Sequence, residues 1–332
     1  MKKQLEIGII GCSSIGKRVI FPAIKESDSC KLGIIGSRSP KKAKNVALEF
    51  QCKKFGNYND VIEDKETDLI YISLPIGLQE YWVMKAAKAG KHVLCEKSIS
   101  TSHTSIKKIW REFKKNKVKI LEAFSYRYHP QHIFVKKSLK NNSVGNVHNF
   151  STTFLLPIIP STRDFRFDKK LGGGILNDVG CYTINASRYF FENEPISITC
   201  NLFTDKKFNI DVKGSIIMSF GNEKTSFGLI GYDNQFFSDY RIFGKKGVII
   251  SKKPYNIKKT ETTEIQIKTK KIKIKKIVKT NQSKLMIEEF CREIKSKKHD
   301  YSNEIIKQSK VMEAARISNI KNKTVFLNDL KL

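Results

Sequence analysis

A short apolar run, Leu5–Ile10, ends in Gly11 and passes at once into a segment with helical spacing, Ser14–Ser27, whose apolar positions are Ile15, Val19, Ile20, Ala23 and Ile24. This strand, glycine turn and helix recur along the chain, and that alternation limits the possible folds more than any other feature. Lys31–Ile35 is apolar again, and Pro40 opens a helix to Phe50. Asp68–Leu74 reads as a strand stopped by Pro75. Leu78–Ala89 reads as a helix stopped by Gly90. Lys91–Cys95 is a strand, His103–Lys115 a helix with His103 facing water at its start, and Val118–Glu122 a sixth strand. Strands alternating with helices of ten to fifteen residues build a parallel, doubly wound sheet.

The pattern changes after Ala123. A helical stretch reaches Lys140, and strand-like segments follow at Val147–Leu155, Ile196–Phe203, Lys213–Phe220, Thr225–Tyr232, Phe237–Phe243 and Gly247–Ser251. A helix from Leu176 to Phe191 lies among them, and two more, near Lys284–Lys295 and Asn303–Ile317, close the chain. The expected architecture is an α/β Rossmann domain over residues 1–123. An α+β domain with a large, mostly antiparallel open sheet follows over residues 124–332. A length of 332 residues is enough for two such cores.

The formal charge of +30 raises the question of nucleic acid. Only ten of the 62 basic residues are arginine, the residue whose planar fork suits bases and phosphates. The densest run, Lys252 to Lys279, alternates Ile265, Ile267, Ile272 and Ile274 with Gln and Lys, which is the pattern of strands with one buried face. Tyr255 is its one aromatic, so no stacking platform exists there. A nucleic-acid partner is therefore not expected, although the field should draw anionic small molecules. No apolar run approaches the roughly 18 residues of a membrane span, and no signal segment precedes the first strand. A cytoplasmic protein is expected, with no membrane partner. Seven scattered cysteines without a C-x-x-C pair imply buried free thiols, and no metal site is expected.

The chemistry begins at the first turn. Gly11, Ser13 and Gly16 fill the three positions of G-x-G-x-x-G, with serine in the middle. In that motif the first glycine makes the turn, the second admits a pyrophosphate, and the third packs helix on strand. The helix start at Ser14, Ile15 and Gly16 would offer N–H groups to the phosphates. Ser13 would either crowd a phosphate or hydrogen-bond to it. An acid at the end of strand two would mark NAD, whereas this chain has Ser37, Arg38, Lys41 and Lys42 there. Those residues suit the 2′-phosphate of NADP(H), so NADP(H) is the expected cofactor and NAD(H) the second choice.

Further motifs carry a resemblance. Asp68 to Pro75 followed by Gly90-Lys-His-Val-Leu-Cys-Glu96-Lys97, then Gly172-Gly-Gly174 with Asp178 and Tyr182, closely resembles the glucose–fructose oxidoreductase/inositol dehydrogenase (Gfo/Idh/MocA) family. The stretches Glu122 to Gln131 and Val144-Gly-Asn-Val147 are similar to two further family segments. The resemblance implies hydride transfer between a nicotinamide and a carbinol or ketone carbon, usually of a sugar or cyclitol. It places Lys97, Asp178 and Tyr182 at the catalytic positions. A hydride reaching a carbonyl carbon leaves an oxyanion that needs a proton and nearby positive charge, roles suited to Tyr182 and Lys97. Asp178 and Tyr182, four apart, would share a helix face. Leu74 and Pro75 would support the nicotinamide and Glu96 would lie beside its ribose. Arg127, His129 and Arg166 would hold substrate.

The chain departs from the family at Ser98, where relatives have Pro after the lysine, which should loosen that loop. It also has Gln79 where relatives often have His, and Tyr182 where many have His. The Tyr subgroup includes sugar dehydrogenases, dihydrodiol dehydrogenases and ketoreductases of nucleotide-linked deoxysugars. The resemblance therefore implies a sugar or nucleotide-sugar substrate, and a homodimer or homotetramer assembled through the open sheet. The alternative is a non-catalytic, cofactor-sensing regulator of the same fold, as in the galactose-regulon repressor branch. Retention of Lys97, Asp178 and Tyr182 argues for turnover.

Overall fold

A computed structural model describes residues 4–296 and 302–330. The chain divides into two compact units, one containing residues up to Ser125 together with Ser283–Ile306, the other containing Tyr126–Gln282 and Lys307–Leu332.

The first unit is built on six parallel strands: β1 (Leu5–Ile10), β2 (Cys30–Gly36), β3 (Lys54–Gly56), β4 (Leu69–Ile72), β5 (His92–Cys95) and β6 (Ile120–Glu122). Their order is β3-β2-β1-β4-β5-β6, with every neighbouring pair parallel. That order reverses between β1 and β4, and ligands of such sheets bind beyond the carboxyl ends of the strands at that point. The connecting helices are α1 (Phe21–Lys25), α2 (Pro40–Phe50), α3 (Tyr58–Glu63), α4 (Ile76–Lys88) and α5 (His103–Lys115). Ile70, Ile72, Val93, Ile120 and Phe113 are among the fully buried side chains of its core.

Two elements escape the periodicity argument because they are too short to show it. They are β3 and α3, the latter opened by a capping box in which Asn57 and Asp60 satisfy each other's backbone N–H groups. His103 is 4% exposed, so its expected orientation toward water is corrected: it packs inward at the start of α5. The segment Ser283–Ile306 belongs with the first unit rather than with the second domain expected from the sequence. Its helix α8 (Gln282–Lys295) and the start of α9 (Ser302–Lys321) are reached by Trp110, which donates to Asn303 Oδ1 over 2.9 Å, and by Lys119, which donates to the Ser296 carbonyl over 2.9 Å. Ile305 joins the same core.

The second unit carries helix α6 (Pro130–Lys140), helix α7 (Cys181–Phe191) and a nine-stranded sheet. Its strands are β7 (Val147–Leu155), β8 (Ser197–Asp205), β9 (Ile210–Gly221), β10 (Lys224–Gly231), β11 (Phe237–Gly244), β12 (Gly247–Ser251), β13 (Thr263–Lys268), β14 (Ile272–Ile277) and β15 (Val325–Phe326). The order is β14-β13-β12-β11-β7-β10-β9-β8-β15, and only β7 with β10 is a parallel pair. Among the described residues no helix is long and apolar enough to cross a membrane. All seven cysteines are buried free thiols.

The Lys/Ile run forms the edge hairpin β13–β14, with one correction. Ile265 and Ile267 are buried, but the register pairs them with Lys275 and Lys273, so Ile272 and Ile274 point away from the core and are 64% and 55% exposed. Strict alternation fixes which residues share a face; the pairing register decides which face is buried.

Candidate active site

In the first unit the turn after β1 is shaped around Gly11. Its φ of +104° lies where L side chains rarely fit, and a Cβ there would sit 2.8 Å from the Ser73 carbonyl oxygen. Ser73 closes the contact by donating from Oγ to the Gly11 carbonyl over 3.0 Å. Ser13 Oγ accepts from the Gly16 N–H at 3.0 Å. Its hydroxyl oxygen is thus engaged with its own turn, a local bond of the kind that Ser favours at helix starts. Ser14 and Ile15 are exposed at the head of the helix. From Gly16 to Ile20 that helix makes a π-helical turn before α1 begins.

The end of β2 lies beside this turn. Gly11 N donates to the Gly36 carbonyl at 3.2 Å, and the buried Ser37 accepts through Oγ from Ser39 N at 3.3 Å. Ser39 then caps α2 by accepting from Lys42 N at 3.3 Å. Arg38, Lys41 and Lys42 are all exposed. Burial pushes the Tyr58 phenol up, against the pull of the nearby Arg38 guanidinium. Burial raises the Cys12 thiol, and the charges of Lys42 and Lys17 oppose it. The carboxyl end of β2 is therefore electropositive.

The loop after β4 is held by a side chain from α4. Gln79, 1% exposed, donates to the Leu74 carbonyl at 2.8 Å, and its Oε1 accepts from the Cys95 thiol at 3.0 Å. Leu74 and Pro75 are left half-buried. At the end of β5, Glu96 accepts from the Tyr71 hydroxyl at 2.7 Å. Burial raises the Glu96 carboxyl, opposed by Tyr71 and by the adjacent Lys97. Ser98 is 4% exposed, and the next residue, Ile99, donates from its N–H to Glu122 Oε1 at 3.3 Å. These contacts anchor the residues that follow Lys97. The Lys97–Ser98 peptide is cis.

In the second unit the triple glycine builds a tight bend. Gly172 and Gly174 have φ of +78° and +114°. A Cβ on Gly173 would lie 2.3 Å from the Arg166 carbonyl, and one on Gly174 would lie 2.3 Å from Asp211 Oδ1. Asp211, on β9, accepts from Leu176 N at 2.7 Å and so caps the π-helical turn Leu176–Gly180 that leads into α7. Asp178 lies inside that turn. Arg166 donates to Asp178 Oδ2 at 2.9 Å, and the Tyr232 hydroxyl donates to the same oxygen at 3.1 Å. Burial works against the Arg166 charge, but Asp178 and Asp164 outweigh it and hold its guanidinium above the usual range. Tyr182 is half-buried one step further on, with ring centroids of Tyr255, Phe154 and Tyr126 at 5.2, 5.6 and 5.9 Å.

The expected substrate contacts divide. Arg127 lies over the Tyr189 ring, 4.9 Å from its centroid, and is half-buried. Arg166 is committed to two carboxylates. His129 is 0% exposed and caps α6 by accepting at Nδ1 from Gln131 N over 3.3 Å. Asp164, Asp211 and Tyr232, which pack around the turn bearing Asp178, carry little sign of that placement in the sequence. Only Asp164-x-Arg166 carries a local signal, since aspartate favours such turns.

Comparison with known proteins adds the decisive observation. Residues 5–124 match the oxidoreductase family with NAD-binding Rossmann fold, and residues 132–250 match the Gfo/Idh/MocA C-terminal domain. The chain belongs to the Gfo/Idh/MocA oxidoreductase family. As a member of that family it is an NAD(P)-dependent oxidoreductase. It is 29% identical over 251 residues to a dTDP-3,4-didehydro-2,6-dideoxy-α-D-glucose 3-reductase of Saccharopolyspora spinosa, covering 75% of each chain. It is 28% identical over 263 residues to a D-xylose 1-dehydrogenase (NADP+) of Haloferax volcanii, covering 79% of this chain and 80% of that one. Its fold matches a 3-ketoreductase of Actinomadura kijaniata, solved in complex with NADP and TDP-benzene, with a TM-score of 0.90 at 24% identity over 95% of this chain and 98% of the other. Among Gfo/Idh/MocA proteins, then, this chain resembles both nucleotide-sugar reductases and an NADP-dependent sugar dehydrogenase.

Proposed function

We propose that this oxidoreductase uses NADP(H) to transfer hydride between the nicotinamide and a carbinol or ketone carbon of a sugar, with a nucleotide-linked keto-sugar as its leading substrate. The observation that carries the cofactor choice is the end of β2, where the exposed Arg38 lies near Tyr58 and where Lys42 and Lys17 lie near Cys12. A ribose 2′-hydroxyl would want a carboxylate there, and a 2′-phosphate wants this cationic fork. The tight turn at Gly11, which packs against Ser73 where a Cβ would not fit, leads into a helix start suited to a pyrophosphate, with Gly11, Ser13, Ser14, Ile15 and Gly16 around it. Ser37, Arg38, Lys41 and Lys42 would hold the adenosine ribose and its phosphate. Leu74, Pro75, Glu96 and Lys97 would hold the nicotinamide end.

The cofactor supplies the hydride. The chain supplies charge, a proton and orientation. Tyr182 holds the proton that a carbonyl oxygen takes up as it becomes a hydroxyl, and Lys97 provides the positive charge that makes this oxyanion accessible. Asp178 and Arg127 orient the sugar. In the second unit Ile217 and Phe227, paired across β9 and β10, are 47% and 42% exposed on one face together with Leu229 and Phe237. Such an apolar face supports assembly as a homodimer or homotetramer.

Fluorescence titration with NADPH and NADH tests the first step, followed by NADPH oxidation with dTDP-3,4-didehydro-2,6-dideoxy-D-glucose and NADP+ reduction with D-xylose. Binding of NADPH well ahead of NADH, with turnover of one of these sugars, is expected. Failure of both nucleotides to bind sinks the proposal.

A further inference from the structure

Asp178 is held by two donors of its own unit on a single oxygen. Arg166 Nε and the Tyr232 hydroxyl reach Oδ2 at 2.9 and 3.1 Å. Neither donor is free to swing away. Arg166 Nη1 lies 3.1 Å from both oxygens of Asp164, and its guanidinium packs 4.9 Å from the centroid of the Phe165 ring. Its carbonyl accepts from Gly174 N at 2.9 Å, at the bend where Gly173 leaves no room for a Cβ. Tyr232 is 3% exposed with its ring 5.3 Å from that of Phe167, and its N–H donates to the Val212 carbonyl at 2.8 Å.

Two consequences follow from this geometry. A carboxylate that accepts from a guanidinium and a phenol is favoured in its ionised form and in one orientation. One guanidinium shared by Asp164 and Asp178 leaves that trio net negative, while burial raises Asp211 on β9 against the pull of Arg316. Such a place attracts a hydroxyl donor and repels a phosphate.

We propose that Tyr232 and Arg166 clamp Asp178 as a fixed acceptor for a sugar hydroxyl, which makes Tyr232 a positioning residue for hydride transfer. The anionic end of a nucleotide sugar is accordingly held away from Arg166. This inference rests on the hydride-transfer reading given above and names how that site selects its ligand.

Tyr232→Phe removes the hydroxyl and keeps the ring against Phe167. With NADPH and the dTDP-keto-sugar, KM should rise about ten- to a hundredfold, the scale of a small misplacement of a binding group, with NADPH affinity unchanged. A variant that was merely less stable would lose active protein, lowering kcat at constant KM, and that result overturns the clamp. A second readout does not need turnover. With 13C-labelled aspartate, the Asp178 carboxyl resonance, assigned by its loss in Asp178→Asn, should titrate at higher pH in Tyr232→Phe. The charged groups packed around this turn, Arg166, Asp164, Asp211 and Arg316, are the same in both proteins, and the substitution removes only the phenol. An unmoved titration overturns the clamp. If the wild-type protein turns over no sugar, the hydride-transfer reading fails, and the carboxyl titration alone decides whether Tyr232 holds Asp178.

Discussion

Gln79 donates to the carbonyl of Leu74 across 2.8 Å, and through this bond a buried side chain of α4 fixes the loop that follows β4. Its other amide atom accepts from the Cys95 thiol on β5, so one side chain ties two strand ends at the carboxyl edge of the sheet. Gln79→Ala leaves a buried carbonyl and thiol without their partner. The expected cost is about 1–3 kcal/mol, read as a lower midpoint in urea. NADPH affinity should fall as well, because Leu74 and Pro75 lose their support. Gln79→Glu separates the two effects, since it can still accept from Cys95 but places a charge beneath the loop.

Gly11→Ala should cost more in binding than in folding. The positive φ and the 2.8 Å approach to the Ser73 carbonyl make any side chain strained, by about 1–3 kcal/mol. By pushing on Ser73 and Leu74 the methyl would also distort the turn proposed to hold the pyrophosphate. Titration should show NADPH and NADH affinity reduced together, whereas retained binding of either nucleotide removes Gly11 from the cofactor site.

Arg38→Ala should act on one nucleotide alone. Losing a charge-assisted contact to the 2′-phosphate corresponds to about 1.5–3 kcal/mol, or roughly ten- to a hundredfold in NADPH affinity, with NADH little changed. A parallel loss for both nucleotides would show that Arg38 acts on the fold instead.

The contrast between Lys97 and Tyr232 explains how much of the site could be read from the chain. Lys97 is found through its neighbours, because the run Gly90 to Lys97 is contiguous and ends a strand whose apolar pattern is plain. The alternation of strands and helices is visible for the same reason: core burial imposes period on sequence. Tyr232 stands 54 residues beyond Asp178, and their contact exists only once β10 lies beside the turn at Leu176–Gly180. The π-helical turns at Gly16–Ile20 and Leu176–Gly180 leave no period at all, so the expectation that Asp178 and Tyr182 share a regular helical face could not anticipate the extra residue per turn. The burial of His129 and its cap on α6 are properties of the fold that its place in the sequence does not display.

Tyr182→Phe and Lys97→Ala should both remove most turnover while affecting binding differently. A positioned general acid contributes about a hundred- to ten-thousandfold, so Tyr182→Phe should lower kcat by that range at nearly constant NADPH affinity. Lys97→Ala should lower kcat and weaken NADPH binding together, since Lys97 is assigned to both. Stopped-flow mixing with NADPH, by following nucleotide binding and hydride transfer separately, would distinguish the two. Full turnover by Tyr182→Phe would take the proton-donor role away from that residue.

Acid should weaken the protein through histidines that are buried without charge. Burial lowers His129 to about 4 and His132 to about 3, the latter also opposed by His129 and partly offset by its bond to the Pro254 carbonyl. His92 in the first unit is lowered to about 4 by burial and by Lys119, and its Nδ1 accepts from Lys119 N at 2.9 Å. The unfolded chain binds protons at these sites near pH 6.5, and the folded chain does not until pH 4 or below. The stability they protect is thus complete above that unfolded value. It falls as pH drops through the window, by roughly 1.4 kcal/mol per pH unit for each histidine titrating only in the unfolded state. Urea midpoints measured from pH 7.5 to about pH 5 should decline, before most carboxylates begin to protonate. His92→Gln should flatten that decline, because an amide can still accept from Lys119 N and carries no proton to gain. A slope unchanged by the substitution would move the acid sensitivity to other groups.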